Sequence, residues 1–468
     1  MLFVLSLAAI GLVVGPGWDR FRGPNGTGVV SEGKTLPLEF GPERNVLWKT
    51  ELPPGHSSPI LALDRIFLTA FEDERLLTFG IDRETGTVLW KRAAPRPRTT
   101  EVDPRNNAAS PSPAVDGESV YVFFPDFGVL AYDFNGNERW SHPLGPFRNV
   151  YGMGASPIVV EDKLVLVCDQ NVHSFILALD KRTGEVAWRA DRPEARSGHS
   201  TPVVHQGREG IEILVPGSFL LTSYAAATGE KLWWVSGLSF EMKSTPVLHG
   251  DMVYINGYGA PENQPGNEIT APSYEQALGE WDGNDDGFLA GDELEGHAKS
   301  WFGFTDLDGD GHLNREEWQY YEASLASRNG VLAIRVGGEG DMTDKSVLWQ
   351  YHKRVPQLPS PLLYRDVLYM VNDGGVVTSL DPETGEAIDQ GRLKGAVDNY
   401  FASPVAADGK IYFASELGKI AVVKPGGTLE VLAVNDLEDL IYATPAIADG
   451  RLYVRTRSAL YCFEASAD

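Results

Sequence analysis

The apolar and polar positions of this chain resolve into one unit that recurs almost from end to end. Each unit opens with a Ser/Thr-Pro pair and an apolar strand, then a short turn and a second strand. Leu-Ala-Leu-Asp-like residues, a Thr-Gly-Glu-type turn and a Trp close it. The prolines fall at Pro59, Pro113, Pro157, Pro202, Pro246, Pro361, Pro404 and Pro445, which makes eight units. Their spacings of 54, 44, 45, 44, 115, 43 and 41 residues set a period near 44, with one small insertion and one large one in the fifth unit. Such a period predicts propeller blades. The expected fold is therefore all-β: an eight-bladed β-propeller of four-stranded blades, with a small α-helical insertion in blade five.

Each unit has a local rationale. Proline cannot donate to a sheet ladder, and the innermost strand of a blade is an edge, so proline is tolerated at its start. In Ile81-Asp82-Arg83-Glu84-Thr85-Gly86, and in the equivalents ending at Gly184 and Gly385, glycine can turn left-handed while Asp accepts local backbone bonds. Trp90, Trp140, Trp188, Trp233 and Trp349 are expected on outermost strands, packed between blades, with Ile388 and Val431 near that position in blades six and seven. Blade eight ends at Cys462-Phe463 without a fourth strand, and Asn45-Val46-Leu47-Trp48 has the look of the missing one. The N-terminus is thus predicted to close the ring and remove its exposed sheet edges.

The Leu-x-Ala-Leu-Asp-x-x-Thr-Gly-Glu-x-x-Trp pattern resembles the β-propellers with repeats like those of pyrroloquinoline-quinone enzymes, the BamB-like, quinoprotein-type propellers. The resemblance covers about residues 45 to 468 apart from the insertion. The lead-in Trp18-Asp19-Arg20-Phe21-Arg22-Gly23-Pro24-Asn25-Gly26-Thr27-Gly28 is similar to the opening of many bacterial envelope members. The resemblance implies the fold and leaves function to the sites. The expected divisions are a signal-like segment at 1–17, a lead-in at 18–44, blades one to five over 45–258, the insertion at 259–329, and the rest over 330–468.

A formal net charge of −25 argues against nucleic-acid binding, since phosphate contacts need a basic face. Between Glu262 and Glu322 there are 16 Asp and Glu against Lys299 and Arg315, a local net of −14 (2 − 16) in one short stretch. Cys168 and Cys462 fall in blades three and eight, too far apart to bridge, and read as buried free thiols. Leu2 to Val14, followed by Gly15, Pro16 and Gly17, resembles a signal-peptide core without its positive n-region. Either the true start lies upstream or the signal is weak, with a non-cleaved anchor as the lesser alternative. No cysteine follows that would carry a lipid, and no span is expected in the mature chain, so a periplasmic or secreted location in the bacterial envelope follows.

The insertion contains two twelve-residue loops, 282–293 and 306–317, that match the EF-hand template at positions one, three, five, six and twelve. Calcium takes six to eight oxygens, which requires short oxygen-bearing side chains at alternating positions, a Gly at the turn, a carbonyl at position seven and a bidentate Glu at twelve. The first loop supplies Asp282, Asn284, Asp286, the Phe288 carbonyl and Glu293; the second supplies Asp306, Asp308, Asp310, the His312 carbonyl and Glu317. Two calcium ions are expected, in a structural role. Leu289 and Leu313, at position eight, should form a short β contact between helices near Tyr274–Leu278 and Glu316–Tyr321, with a cramped middle helix. The alternative is a pair of acidic turns without metal.

The residue three before each repeat proline is His56, Ser110, Gly154, His199, Lys243, Leu358, Phe401 and Tyr442, a ring expected at the channel mouth. Arg148, Tyr151, Arg196, Glu241, Asp398, Asn399 and Tyr400 lie nearby in sequence, as does the long loop from Ala93 to Asn107. The ring could bind a small ligand or another envelope protein, or be a set of solvated loop ends. The resemblance also raises a pyrroloquinoline-quinone-dependent oxidoreductase, but many such enzymes carry adjacent cysteines that this chain lacks. The quinone is therefore not expected. No Gly-x-Ser-x-Gly, His-Glu-x-x-His or phosphate-loop pattern occurs. The reading is a non-catalytic, calcium-binding interaction scaffold, with the quinoprotein as the alternative.

Overall fold

The structure, a computed structural model, describes residues 17–31 and 33–466. The signal-like segment, apart from Gly17, lies outside the described residues. Eight sheets form the blades, each with four antiparallel strands; that of blade four gains a fifth, two-residue strand, Gly340–Asp341, paired parallel to Lys231–Ser236. Blade one consists of Ile60–Ala62, Arg65–Glu72, Arg75–Asp82 and Val88–Ala94, with the first strand innermost. Ring closure follows the sequence expectation: Val46–Glu51 pairs antiparallel with Ala459–Glu464, so blade eight takes its outermost strand from the N-terminal side. No helix among the described residues is long and apolar enough to cross a membrane. Cys168 and Cys462 are buried free thiols.

Blades are fastened at two radii. Near the axis, the Ser or Thr before each repeat proline accepts a hydrogen bond from the backbone N–H of its counterpart in the preceding blade. Ser58 N–H donates to Ser112, Ser112 to Ser156, Ser156 to Thr201, Thr245 to Ser360, Ser360 to Ser403, Ser403 to Thr444 and Thr444 to Ser58, all at 2.9–3.0 Å. The link from Thr201 to Thr245 is the exception, and the Thr245 hydroxyl has no partner among the described residues.

Near the rim, a Trp of one blade lies on the turn glycine of the next and donates its Nε1–H to a carbonyl there. The pairs are Trp48 with Gly86 and Arg83, Trp90 with Gly136 and Phe134, Trp140 with Gly184 and Lys181, Trp188 with Gly229 and Ala226, and Trp349 with Gly385 and Pro382. These glycines have φ between 72° and 77°, and a Cβ on any of them would meet the indole. The turn is left-handed for its own geometry and bare for its neighbour's ring.

Blades six and seven fill the indole position differently. Ile388 meets the turn Gly427 of blade seven, while strand pairing sets Asp389 opposite Ser379 and Ala433 opposite Val422, one and two residues beyond Ile388 and Val431. Asp389 replaces the indole chemically, accepting the Leu429 N–H of blade seven at 2.8 Å.

The lead-in straps the channel from below. Trp18 and Asp19 carbonyls accept from Leu61 and Val115 of blades one and two, at 2.8 and 2.9 Å. The Asn25 amide pairs with both backbone groups of Val204 in blade four at 2.8 Å, and the Gly28 carbonyl accepts from Ala406 in blade seven at 2.9 Å. Trp18 and Arg22 are completely buried.

In blade five the second strand, Met252–Gly257, and the third, Gly330–Arg335, flank the insertion, and Gly257 pairs with Gly330 across its neck. The insertion folds as helix α1 (Tyr274–Trp281), α2 (Gly296–Thr305) and α3 (Arg315–Ala326) around its own apolar core, which includes Leu289, Leu313 and Trp318. The middle helix forms despite its short link, entered through Gly296 at φ 56°.

Trp48→Ala removes an inter-blade indole from the closing strand and should cost about 3–5 kcal/mol. The check is the denaturant midpoint of the variant; a loss under 1 kcal/mol would mean that the closing indole is not a fastening point.

Candidate functional site

Because every blade places its repeat proline at the same height, the residues three before them converge. All eight ring positions line one cavity of about 360 Å³ at the channel mouth, joined by Tyr151, Asn399 and Tyr400. Arg148 and Arg196 do not line it. The Arg148 guanidinium donates to the Asp308 carbonyl, and Arg196 pairs with Glu316 at 3.4 Å. Both cations are drawn to the acidic insertion, which folds over the loops that carry them.

Lining residues not singled out from the sequence include Asp103, Arg105, Asp373 and Phe21. Asp103 and Arg105 lie in the long loop after blade one, Asp373 in an Asn-Asp-Gly-Gly turn that reads as a plain hairpin, and Phe21 in the lead-in. Phe21 reaches the cavity from below, so the mouth is floored by the strap.

The charged lining is largely self-neutralised. Arg105 binds Asp103 through two nitrogens at 2.8 and 2.9 Å. Lys243 binds Glu241 at 2.7 Å, with side-chain exposures of 7% and 4%. The Tyr151 ring lies between these pairs, 4.8 Å from Lys243 Nζ and 5.7 Å from the Arg105 guanidinium. On the other side His56 stacks on Tyr442 at 4.3 Å, and Phe401 meets Tyr442 edge-on at 5.2 Å. Burial, helped by Arg455 and Arg457, pushes His56 down to about 4; burial and Lys243 push His199 down to about 3. Both imidazoles are neutral at ordinary pH. Burial and the carboxylates of Glu416 and Asp398 push Asp373 upward, although its amide contact with Tyr400 works the other way.

The two insertion loops share one internal bonding scheme. Asp282 and Asp306 accept from the glycine at position six, Gly287 and Gly311, at 2.9 and 3.1 Å. Position three accepts from the position-five N–H, and position five accepts from position seven. Glu293 accepts from Gly283 and Ala290, and Glu317 from Leu307 and Asn314, which straddle positions two and nine. Leu289 pairs with Leu313 in a two-stranded bridge, as the position-eight expectation has it. The carboxylates of Asp306, Asp308 and Glu317 lie within 4.8 Å of one another, a spacing that a hard cation could bridge. Three carboxylates of the first loop do not converge this closely: its third position is Asn284, whose amide donates to Asp286 at 3.0 Å.

The insertion is packed onto the mouth rather than tethered beside it. Trp301 of α2 meets Phe240 at 5.5 Å, Tyr320 of α3 meets Phe219 and Phe240, and Phe304 reaches Tyr151 at 6.4 Å. A polycarboxylate quinone fits the mouth poorly. Arg105 and Lys243, the two basic side chains of the lining, are already taken by Asp103 and Glu241, and the cysteines lie in blades three and eight.

Comparison with known proteins gives the same architecture. The family model of the outer membrane protein assembly factor BamB matches residues 29–174 and 172–467. No curated protein matches the sequence. Among solved structures, BamB from Moraxella catarrhalis superposes with a TM-score of 0.58 at 12% identity, covering 90% of this chain and 97% of that one. A europium-containing methanol dehydrogenase gives 0.60 at 10% identity over 97% and 99%. A quinohemoprotein alcohol dehydrogenase from Comamonas testosteroni gives 0.56 at 12% over 98% and 82%. At these identities the structural likeness concerns the fold.

Lys243→Ala leaves the Glu241 carboxylate buried and unpaired, which should cost about 3–5 kcal/mol. The double variant Glu241→Leu, Lys243→Met should recover most of that loss. Denaturant unfolding of the three proteins reads both effects, and a Lys243→Ala variant as stable as wild type would show that the pair is solvated.

Proposed function

This chain belongs to the family of the outer membrane protein assembly factor BamB, and we propose that it is a non-catalytic, calcium-binding scaffold of the bacterial envelope. It works in the periplasm or as a secreted protein, and its mouth face holds an envelope partner or a small ligand. The observation that carries this reading is the union of the two candidate sites on one face. The insertion's aromatic residues pack against the loops of the mouth, and the mouth is a blind recess floored by Phe21. Its paired charges and neutral imidazoles suit holding a ligand better than moving a proton or a hydride.

In this reading the insertion is an EF-hand pair. Asp282, Asn284, Asp286, the Phe288 carbonyl and Glu293 hold one calcium ion; Asp306, Asp308, Asp310, the His312 carbonyl and Glu317 hold the other. The shared bonding scheme and the Leu289–Leu313 bridge support this assignment. The ions are structural: they relieve repulsion among carboxylates already gathered, and so stiffen one wall of the mouth. The quinoprotein alternative draws support from the dehydrogenases among the structural neighbours and is opposed by the mouth's paired charges.

Titration of the calcium-stripped protein should show about two ions bound, and none in the double variant Glu293→Gln, Glu317→Gln. Absence of binding by wild type would refute the metal assignment and leave an acidic spacer. Absorbance between about 300 and 400 nm tests the alternative, since a bound quinone colours the protein. A colourless protein that takes up no added cofactor removes it.

A further inference from the structure

Beneath the mouth, the strap brings two guanidinium groups into the channel. Arg22 is fully buried and Arg20 is 7% exposed. Arg22 donates through Nη2 to the Pro361 carbonyl at 2.8 Å and, at 3.5 Å, to that of Thr27; its Nε and Nη1 have no partner among the described residues. Arg20 donates through Nη2 to the Pro202 carbonyl, and its Nε has none. Neither forms an ion pair among the described residues. Asp19 is the one carboxylate among the described residues that acts electrostatically on Arg20; burial pushes it up to about 6, so it remains ionised at neutral pH and offsets Arg20, while nothing comparable faces Arg22.

The blade junction facing this strap is incomplete. The hydroxyl relay breaks between Thr201 and Thr245, where the buried hydroxyls of Thr245 and Ser200 have no partner among the described residues. Gly26 of the strap sits directly on Thr245, so close that a Cβ there would meet its methyl group. Backbone carbonyls hydrogen-bond a guanidinium but do not cancel its charge. A buried cation without a counter-charge is one of the costliest arrangements in a protein interior. Arg22, held to Pro361 of blade six, has no counter-charge among the described residues, and Arg20, held to Pro202 of blade four two blades away, adds to the positive field around it.

We propose that the propeller channel binds a small anion, a halide or a small oxyanion, at the Arg22 guanidinium, in the positive field that Arg20 reinforces. The anion uses the N–H groups that Pro361 and Thr27 leave free. It anchors the strap and therefore the floor of the mouth. The site is separate from the calcium loops and from the mouth lining, and it stands whether or not the mouth holds a ligand.

The test is crystallographic and uses the full chain. Crystals soaked in sodium bromide, and others soaked in sodium selenate, are measured at the bromine and selenium absorption edges. The expected result is an anomalous peak in hydrogen-bond contact with Arg22 Nε or Nη1 in at least one soak: bromide alone marks a halide site, selenate alone an oxyanion site. In solution, replacing gluconate with the anion that binds, at constant ionic strength, should raise the melting temperature of wild type by a few degrees and leave Arg22→Gln unchanged. Ordered water alone around Arg22 in both soaks would overturn the proposal. So would a melting temperature that responds equally in wild type and Arg22→Gln.

Discussion

The hydroxyl relay around the axis is the constraint on which everything else rests. A propeller has no continuous core. Its apolar residues are shared out between neighbouring sheets, and nothing in sheet-on-sheet packing fixes the height at which one blade meets the next. At seven of the eight junctions a side-chain oxygen one residue before the proline takes the backbone N–H of the blade before it at 2.9–3.0 Å, and so sets that height. Once the inner strands are level, the residues two positions earlier must face one another across the mouth. The cavity is thus a geometric by-product of the fastening. The outer Trp–Gly contacts apply the same logic at larger radius, where a shift in height would drive an indole into a neighbouring turn.

This division explains what could be read from the chain. The prolines, turn glycines and tryptophans mark points where blades are held to one another, so they repeat visibly, and blade number, ring closure and the mouth ring all follow from them. What could not be read depended on partners distant in sequence and outside the repeat. The strap contributes Phe21 to the mouth although it lies before the first blade. Arg148 and Arg196 have the right positions for the mouth, yet the insertion's carbonyl and carboxylate groups claim them. Asp389 does the work of an indole with a carboxylate, and no hydropathy pattern equates the two.

The insertion shows the converse case. Its loop chemistry is local, within twelve residues each, and the Leu289–Leu313 bridge between the loops was legible in the sequence. Its seat between the second and third strands of blade five already places it beside the mouth, but its packing there is not local. That packing depends on Phe219, Phe240 and Tyr151, which come from a turn inside blade four, the loop after blade four and the loop after blade two, and look unremarkable there. The mouth wall on this side is consequently a composite. Tyr151 is held between two ion pairs on its cavity side and touches Phe304 on the other, so the acidic module and the recess share a residue rather than merely a face.

The neck of the insertion has a consequence of its own. Gly257 and Gly330 are opposite one another on a single rung, and Asn329 ties the crossing by accepting from Gly259 N–H and donating to the Ala260 carbonyl, both at 2.6 Å. The chain leaves the blade and returns to it at the same place, so the strand pairing of blade five does not depend on what is spliced in between. Blade five is in effect a socket. A lineage can change the cargo seated there without disturbing the wheel, provided that the new domain begins and ends side by side.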